Sequence, residues 1–144
     1  MSAPLYNTAL LKLAATIPYT ERLTDPHATV EKRSPICGSR VTVDVKVDDE
    51  GRITELGQLV RACALGQASA ALMGAAAIGR DAGELAAARD ALAGWLAGTR
   101  EESGGWPGLD VLAPARDYPA RHASIRLAFE AVAEAAETAA KGRG

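Results

Sequence analysis

The sequence predicts an α+β fold in which helices cover one face of a small three-stranded antiparallel sheet. Residues 40–48 (RVTVDVKVD) alternate strictly between valine and other residues, which is typical of a strand with one buried face. From residue 62 the chain changes to small apolar residues (ACALGQASAALMGAAAIG), which predict a closely packed helix. Apolar residues recur with helical spacing near both ends of the chain. We therefore expect an N-terminal helix and a long C-terminal helix around the sheet.

The individual elements follow from local signals. Pro18 ends the apolar stripe of the first helix, and DDEG at 48–51 has the composition of a hairpin turn. Asp81 predicts a helix N-cap with Glu84 in the first turn, and Pro119 predicts the first turn of the last helix. The predicted elements are a helix over 5–17, strands over 27–34, 40–48 and 52–60, helices over 62–79, 81–98 and 118–141, and a loop over 99–108. We expect a single domain spanning residues 1–144.

Composition and charge narrow the function classes. The net charge of −2 and the pI near 5.7 argue against a nucleic-acid-binding protein, which would need a basic face. No apolar run approaches the roughly 20 residues of a membrane span, and the N-terminus lacks a basic stretch before a cleavage site. We expect a cytoplasmic protein, in which thiols stay reduced.

Cys37 and Cys63, the two cysteines of the chain, flank the predicted hairpin. Cys37 lies in a turn beside Gly38, and Cys63 lies at a predicted helix start, where free backbone N–H groups favour a thiolate. Because the two strands pair, we expect both cysteines at the same end of the hairpin. Thiolates bind soft metals, but zinc typically takes four ligands. The remaining candidate ligands are His122, Ser39, His27 and acidic residues; two buried, inert cysteines are the alternative.

The sequence PICG at 35–38, the turn with Gly51 and Ile53, and the segment CALGQASA at 63–70 together resemble motifs of the NifU N-terminal/IscU/SufU family of iron–sulfur cluster assembly scaffolds. The family shows a Pro-x-Cys-Gly-Asp turn, a hairpin turn Asp-x-x-Gly-x-Ile, and a Gly-Cys-Ala-Ile-Ser-x-Ala-Ser-Ala segment that opens a helix. The matching residues are Pro35, Cys37 and Gly38, then Gly51 and Ile53, then Cys63, Ala64, Ala68, Ser69 and Ala70. LYNTALLKLA resembles the family's first helix, and PARHASIRLAFEAV is similar to the segment around its third cysteine. The resemblance spans about residues 5 to 135.

The chain departs from the family pattern at the expected ligands. Ser39 stands in place of the aspartate, and the third cysteine falls at Ser124, or at Ala123 if the alignment slides by one residue. His122 matches loosely a histidine that precedes the third cysteine in the IscU branch. The chaperone-recognition motif of that branch is reduced to YPAR at 118–121.

The resemblance implies the family fold and a pocket at the sheet edge for an iron–sulfur cluster, iron or zinc. Within it, Cys37 and Cys63 would bind the cofactor and His122 would be a further metal ligand. It also implies a cysteine desulfurase and iron–sulfur recipient proteins as partners, and no enzymatic activity. A serine hydroxyl is a poor ligand for soft metals, so a degenerate scaffold acting as an adaptor or regulator is the alternative. A thiol hydrolase using Cys63 and His122 is a third interpretation, which no oxyanion or substrate-binding signature supports.

Several candidate residues also have ordinary structural interpretations. His122 can cap its helix near Tyr118, and His27 can be a surface residue. Ser39 and Ser124 can hydrogen-bond to the local backbone. The other such residues are Arg121 and Arg126, read as solvated helix charges, and Trp106, read as a loop anchor.

Overall fold

The computed structural model describes residues 6–35 and 38–143, so Ile36 and Cys37 lie outside the described residues. The described elements are, in chain order, α1 (Thr8–Ala14), β1 (Ala28–Arg33), β2 (Arg40–Val47), β3 (Ile53–Arg61), α2 (Ala64–Ala76), α3 (Ala82–Ala97), two 3-10 helices (Leu109–Asp117 and Pro119–Arg121) and α4 (His122–Arg143). The predicted α+β class is confirmed, as is the order of one helix, three strands and then helices.

The three strands form one antiparallel sheet with β2 in the centre. Val41, Val43, Val45 and Val47 are all buried on the face that the helices cover, as the alternation predicts. The register pairs Arg33 with Arg40 and Arg40 with Arg61, so these three residues form one row across the sheet.

The opposite face of the sheet is covered at one end by the segment that follows α1. Asp44, whose side chain is fully buried, accepts hydrogen bonds from Arg22 Nε at 2.6 Å and Arg22 Nη2 at 3.0 Å. It also accepts from Thr29 Oγ1 at 2.6 Å and from the Leu23 backbone N–H at 3.1 Å. The same segment lies on Gly57, where a Cβ would approach the Glu21 carbonyl oxygen to 2.6 Å. Asp44 therefore holds residues 21–23 against the sheet.

The helices form a second layer and part of a third. α4 lies across β1 and β2, α2 packs against α1 and α4, and α3 covers α4 on the side away from the sheet. Asp81 caps α3 by accepting from the Glu84 N–H at 2.9 Å, which confirms the predicted N-cap. Within the described residues, none of the helices has the length and apolar character needed to cross a membrane.

The connection between α3 and α4 is more ordered than the sequence predicts. Leu109–Asp117 is a 3-10 helix, and the first turn of the predicted last helix is a separate 3-10 turn, Pro119–Arg121. Pro114, inside the first of these segments, lacks the N–H that a continuous helix would use there. Pro119 lies at the first position of its turn, where a helix leaves the N–H unused. Trp106 anchors the loop before them: its Nε1–H donates to the Leu72 carbonyl at 2.8 Å and its ring meets Phe129 edge-on.

Candidate functional site

The two ends of the predicted hairpin meet beside the start of α2. The turn between β1 and β2 is closed by the Ser34 N–H, which donates to the Ser39 carbonyl at 2.8 Å. Arg40 pairs with Arg61, which places Ser39 close to the residues that lead into Cys63. Cys63 is the N-cap of α2, as predicted, with extended backbone and a half-buried side chain. Its thiol makes no capping hydrogen bond, so its sulfur is free to contact groups outside the helix.

Three side chains from distant parts of the sequence converge at this point. Cys63 Sγ lies 3.3 Å from Ser124 Oγ, and Ser124 Oγ lies 3.0 Å from Ser39 Oγ. Ser39 and Ser124 are buried, and only Cys63 is partly exposed. We refer to Cys63, Ser124 and Ser39 as the thiol–hydroxyl cluster. It joins the turn before β2, the start of α2 and the first turns of α4.

The cluster can stabilise either form of the thiol. With Cys63 protonated, its S–H donates to Ser124 Oγ and the Ser124 hydroxyl donates to Ser39. With Cys63 ionised, both hydroxyls can reverse, so that Ser39 donates to Ser124 and Ser124 donates to the sulfur. Rotation of the two hydroxyls therefore lets the cluster hydrogen-bond to the sulfur in either form.

The close approach of α2 and α4 fixes the position of Ser124. A Cβ on Gly66 would come within 2.7 Å of Ser124 Oγ and within 2.7 Å of Ala62 Cβ. One turn further along α2, Ser69 Oγ donates to the Ile125 carbonyl at 2.6 Å. Small residues at this crossing let the two helices approach closely enough for Ser124 to reach Cys63.

The two histidines occupy different positions relative to the cluster. His27 directly precedes β1, at the end of that strand far from the cluster. Its Nδ1 accepts a hydrogen bond from the Val47 N–H at 2.9 Å, so His27 has a structural role. His122 begins α4 and contacts the Ala115 carbonyl through Nε2 at 2.9 Å. Because a carbonyl oxygen only accepts, Nε2 carries a proton and, in the neutral ring, Nδ1 is the nitrogen that can bind a metal.

The described residues include two of the three predicted metal ligands, Cys63 and His122. Cys37 lies outside the described residues, and its expected approach to Cys63 stays a prediction. Among residues 6–35 and 38–143, no three His, Cys, Asp or Glu side chains are grouped as metal ligands would be. The structure brings Cys63, Ser39 and Ser124 together, whereas no hydrogen bond between described residues joins His122 to this cluster.

Two features of this end of the sheet were not identified from the sequence. One is the role of Gly66, which only the helix crossing reveals. The other is the arginine row formed by Arg33, Arg40 and Arg61, which depends on strand register. Ser39 and Ser124, for which bonds to backbone were the ordinary alternative, bond to each other through their side chains.

Comparison with known proteins agrees with this architecture. The family model described as "NifU-like N terminal domain" matches residues 18–99. A crystal structure of the N-terminal part of a nitrogen-fixing NifU-like protein from Brucella abortus is 38% identical, with 95% of each chain covered and a TM-score of 0.86. A candidate iron–sulfur cluster assembly scaffold for the SUF system from Fervidobacterium islandicum AW-1 has the same fold, with 20% identity, a TM-score of 0.81, and 92% of this chain and 96% of that chain covered. A search of curated protein sequences gave no match.

Proposed function

Because the chain belongs to the NifU-like N-terminal domain family, we propose that it is a scaffold in iron–sulfur cluster assembly that binds an iron–sulfur cluster, iron or zinc through Cys37 and Cys63. The metal or cluster is the cargo of the scaffold and is passed on to other proteins. No chemical step on a substrate is required of the chain, so we propose that it is not an enzyme. A single domain over residues 1–144 would carry this function.

The observation that carries the proposal is the thiol–hydroxyl cluster. Ser124 lies 3.3 Å from Cys63 Sγ and 3.0 Å from Ser39 Oγ. These serines stand where the resemblance leads one to expect the third cysteine and the aspartate. The contact favours the alignment with Ser124, rather than Ala123, at the third-cysteine position. The pocket geometry is therefore consistent with a family site in which two of the ligands have become hydroxyls.

His122 is the proposed ligand that would complete the site with the two thiolates. Its Nε2 contact with the Ala115 carbonyl resembles the support that metal-binding histidines usually receive through their second nitrogen. In the neutral imidazole, this contact would make Nδ1 the nitrogen with a free lone pair that could bind zinc or iron. With two thiolates and one imidazole, a fourth position would remain for water, for a hydroxyl or for a donor from a partner.

The proposed partners follow from the family. A cysteine desulfurase would supply sulfur, and recipient iron–sulfur proteins would accept the cluster. The partly exposed Cys63, at the edge of the sheet, would be accessible to both kinds of partner. The exchange would take place in the cytoplasm, where thiols stay reduced.

The test is the metal content of protein purified without oxygen, with and without reconstitution by iron and sulfide. We expect bound zinc or a cluster with thiolate-to-metal absorption, and loss of both in Cys37→Ala and in Cys63→Ala. Ser103→Ala, in the loop after α3, is the matched control and should retain both. Retention of metal by the cysteine variants would show that the ligands lie elsewhere.

A second candidate function is an adaptor or regulator that keeps the fold but binds no metal. The hydrogen bond between the buried hydroxyls of Ser39 and Ser124 favours this candidate, because it satisfies both groups without any metal. Such a protein would lack metal after purification and after reconstitution. Its folded spectrum and melting temperature would also be unchanged by a chelator.

A further inference from the structure

A row of three arginines with few neutralising partners lies at the end of the sheet where β1 and β3 finish and β2 begins. Arg33, Arg40 and Arg61 lie directly opposite one another on neighbouring strands, so their side chains leave the sheet on the same face. This face is the one away from the helices, and residues 21–23 cover only its other end. Like charges placed directly opposite are destabilising by themselves. The arrangement is therefore one that a bound anion would relieve.

Glu31 provides only part of the compensation for these charges. Its carboxylate lies 2.8 Å from Arg33 Nε and 3.7 Å from Arg40 Nε. The hydrogen bond from Arg33 is the main reason why the pKa of Glu31 lies below its ordinary value, so Glu31 is ionised at neutral pH. None of the residues in 6–35 and 38–143 forms an ion pair with Arg61. Three guanidinium groups against one carboxylate leave two positive charges at this place.

The arginines share one concave site. A cavity of about 220 Å³ is lined by Arg33, Arg40 and Arg61 together with Ser34 and Gly38. Since water occupies about 30 Å³ in the liquid, this space is sufficient for a tetrahedral oxyanion. Neighbouring strands are about 4.8 Å apart, so three long side chains can converge on a single group from adjacent strands.

We propose that Arg33, Arg40 and Arg61 form a binding site for a doubly charged oxyanion of the phosphate type, at the same end of the sheet as the thiol–hydroxyl cluster. The two uncompensated charges match a dianion, and guanidinium groups bind phosphate oxygens through paired N–H donors. The site and the cluster lie at the same end of the sheet, because Arg40 follows Ser39 directly and Arg61 precedes Cys63 by two residues. The proposal does not depend on metal binding by the cysteines.

The test is a titration of the protein with sodium phosphate, followed through the arginine Nε–Hε signals in ¹⁵N NMR spectra. Sodium chloride at matched ionic strength is the reference, because screening alone acts equally in both salts. We expect saturable shifts of the three arginine signals with phosphate and none that saturate with chloride. A second arm uses glycerol phosphate: saturation in either arm supports the site, and the tighter ligand shows whether a free anion or a phosphate ester is the natural occupant.

Three variants make the test specific. Arg61→Gln should weaken phosphate binding about tenfold, because a charged hydrogen-bond donor is lost. Arg89→Gln removes the same charge from α3, on the far side of α4, and should leave the affinity unchanged. Glu31→Gln should tighten binding about threefold or more, since it removes the competing carboxylate.

The proposal is overturned if phosphate and chloride give the same unsaturated shifts, or if Arg89→Gln weakens binding as much as Arg61→Gln. Binding of a polyglutamate peptide that phosphate does not compete with would overturn it in favour of an acidic protein partner. Should Arg61→Gln fail to fold, Arg61→Lys retains the charge without the planar guanidinium and should still weaken binding. The phosphate titration of the wild-type protein tests the site independently of these two Arg61 variants.

Discussion

Restoring a sulfur at the third position is the sharpest perturbation that the site offers. Ser124→Cys would place a thiol where a hydroxyl now lies 3.3 Å from Cys63 Sγ. Two thiolates bound to one tetrahedral zinc, each with a Zn–S distance of about 2.3 Å, are about 3.8 Å apart. The new sulfur therefore needs to move by only about half an ångström to share a metal with Cys63, a shift that the longer C–S bond partly supplies.

The expected gain in zinc affinity is at least about tenfold. Loss of a group that merely supports a metal ligand costs about 10- to 100-fold in affinity, and a thiolate ligand contributes no less than that. A tenfold gain corresponds to about 1.4 kcal/mol. Competition with a chromophoric zinc chelator, carried out without oxygen at constant pH, measures the difference directly.

The control for this variant is Ser103→Cys, which adds a thiol in the loop after α3. It should bind zinc no more tightly than the wild-type protein. Equal gains in the two variants would show that any additional thiol captures zinc. No gain in Ser124→Cys, with the fold intact, would refute the placement of the metal beside Ser124.

Three further predictions concern the frame around the site. Asp44→Asn should lower the free energy of unfolding by about 3 kcal/mol at pH 7, because the ionised acceptor of Arg22 is lost. Burial raises the pKa of Asp44, but hydrogen bonds led by Arg22 outweigh it and the net pKa lies below the ordinary value. The contribution is therefore complete above the unfolded pKa of about 3.9 and is lost as pH falls through the lower folded pKa. In urea unfolding, the difference between wild type and variant should be constant above about pH 4 and should shrink progressively as the pH is lowered further. Gly66→Ala should lower the free energy of unfolding by about 1–3 kcal/mol, since the new Cβ would meet Ser124 Oγ at 2.7 Å. The same variant should speed alkylation of the Cys63 thiol. Unchanged stability would contradict the close crossing of α2 and α4. Gly38→Ala should lower the free energy of unfolding, measured with urea, by about 1–2 kcal/mol because Gly38 has a φ of 73°. The added methyl group would meet no atom within 4 Å, so the loss would come from the backbone alone. Unchanged stability would contradict the left-handed conformation of Gly38.

The sheet was the most predictable part of the fold. Alternation of Val41 to Val47 with other residues determines which face meets the helices, and a one-residue slip would move every valine to the opposite face of the sheet. Asp81 and Glu84 identified the start of α3 through local hydrogen bonds that need no tertiary information. The 3-10 helix at Leu109–Asp117 was missed because its residues form neither a helical stripe nor an alternating pattern.

The candidate site was predictable in its components more than in its contacts. Cys63 was expected at a helix start, and the resemblance directed attention to Ser39 and Ser124. Ser124 contacts both Cys63 and Ser39 only because α2 and α4 cross closely. Small residues such as Gly66 determine that crossing, and no local sequence pattern predicts it. The arginine row could not be recognised either, because its residues are adjacent only once the strand register is known.

The central claim is that two thiolates, completed by donors other than sulfur, hold the metal. X-ray absorption at the zinc edge of the zinc-loaded wild-type protein tests this most directly. We expect two sulfur neighbours of zinc at about 2.3 Å together with nitrogen or oxygen neighbours at about 2.0 Å. A zinc environment of nitrogen and oxygen alone, unchanged in Cys63→Ser, would contradict it.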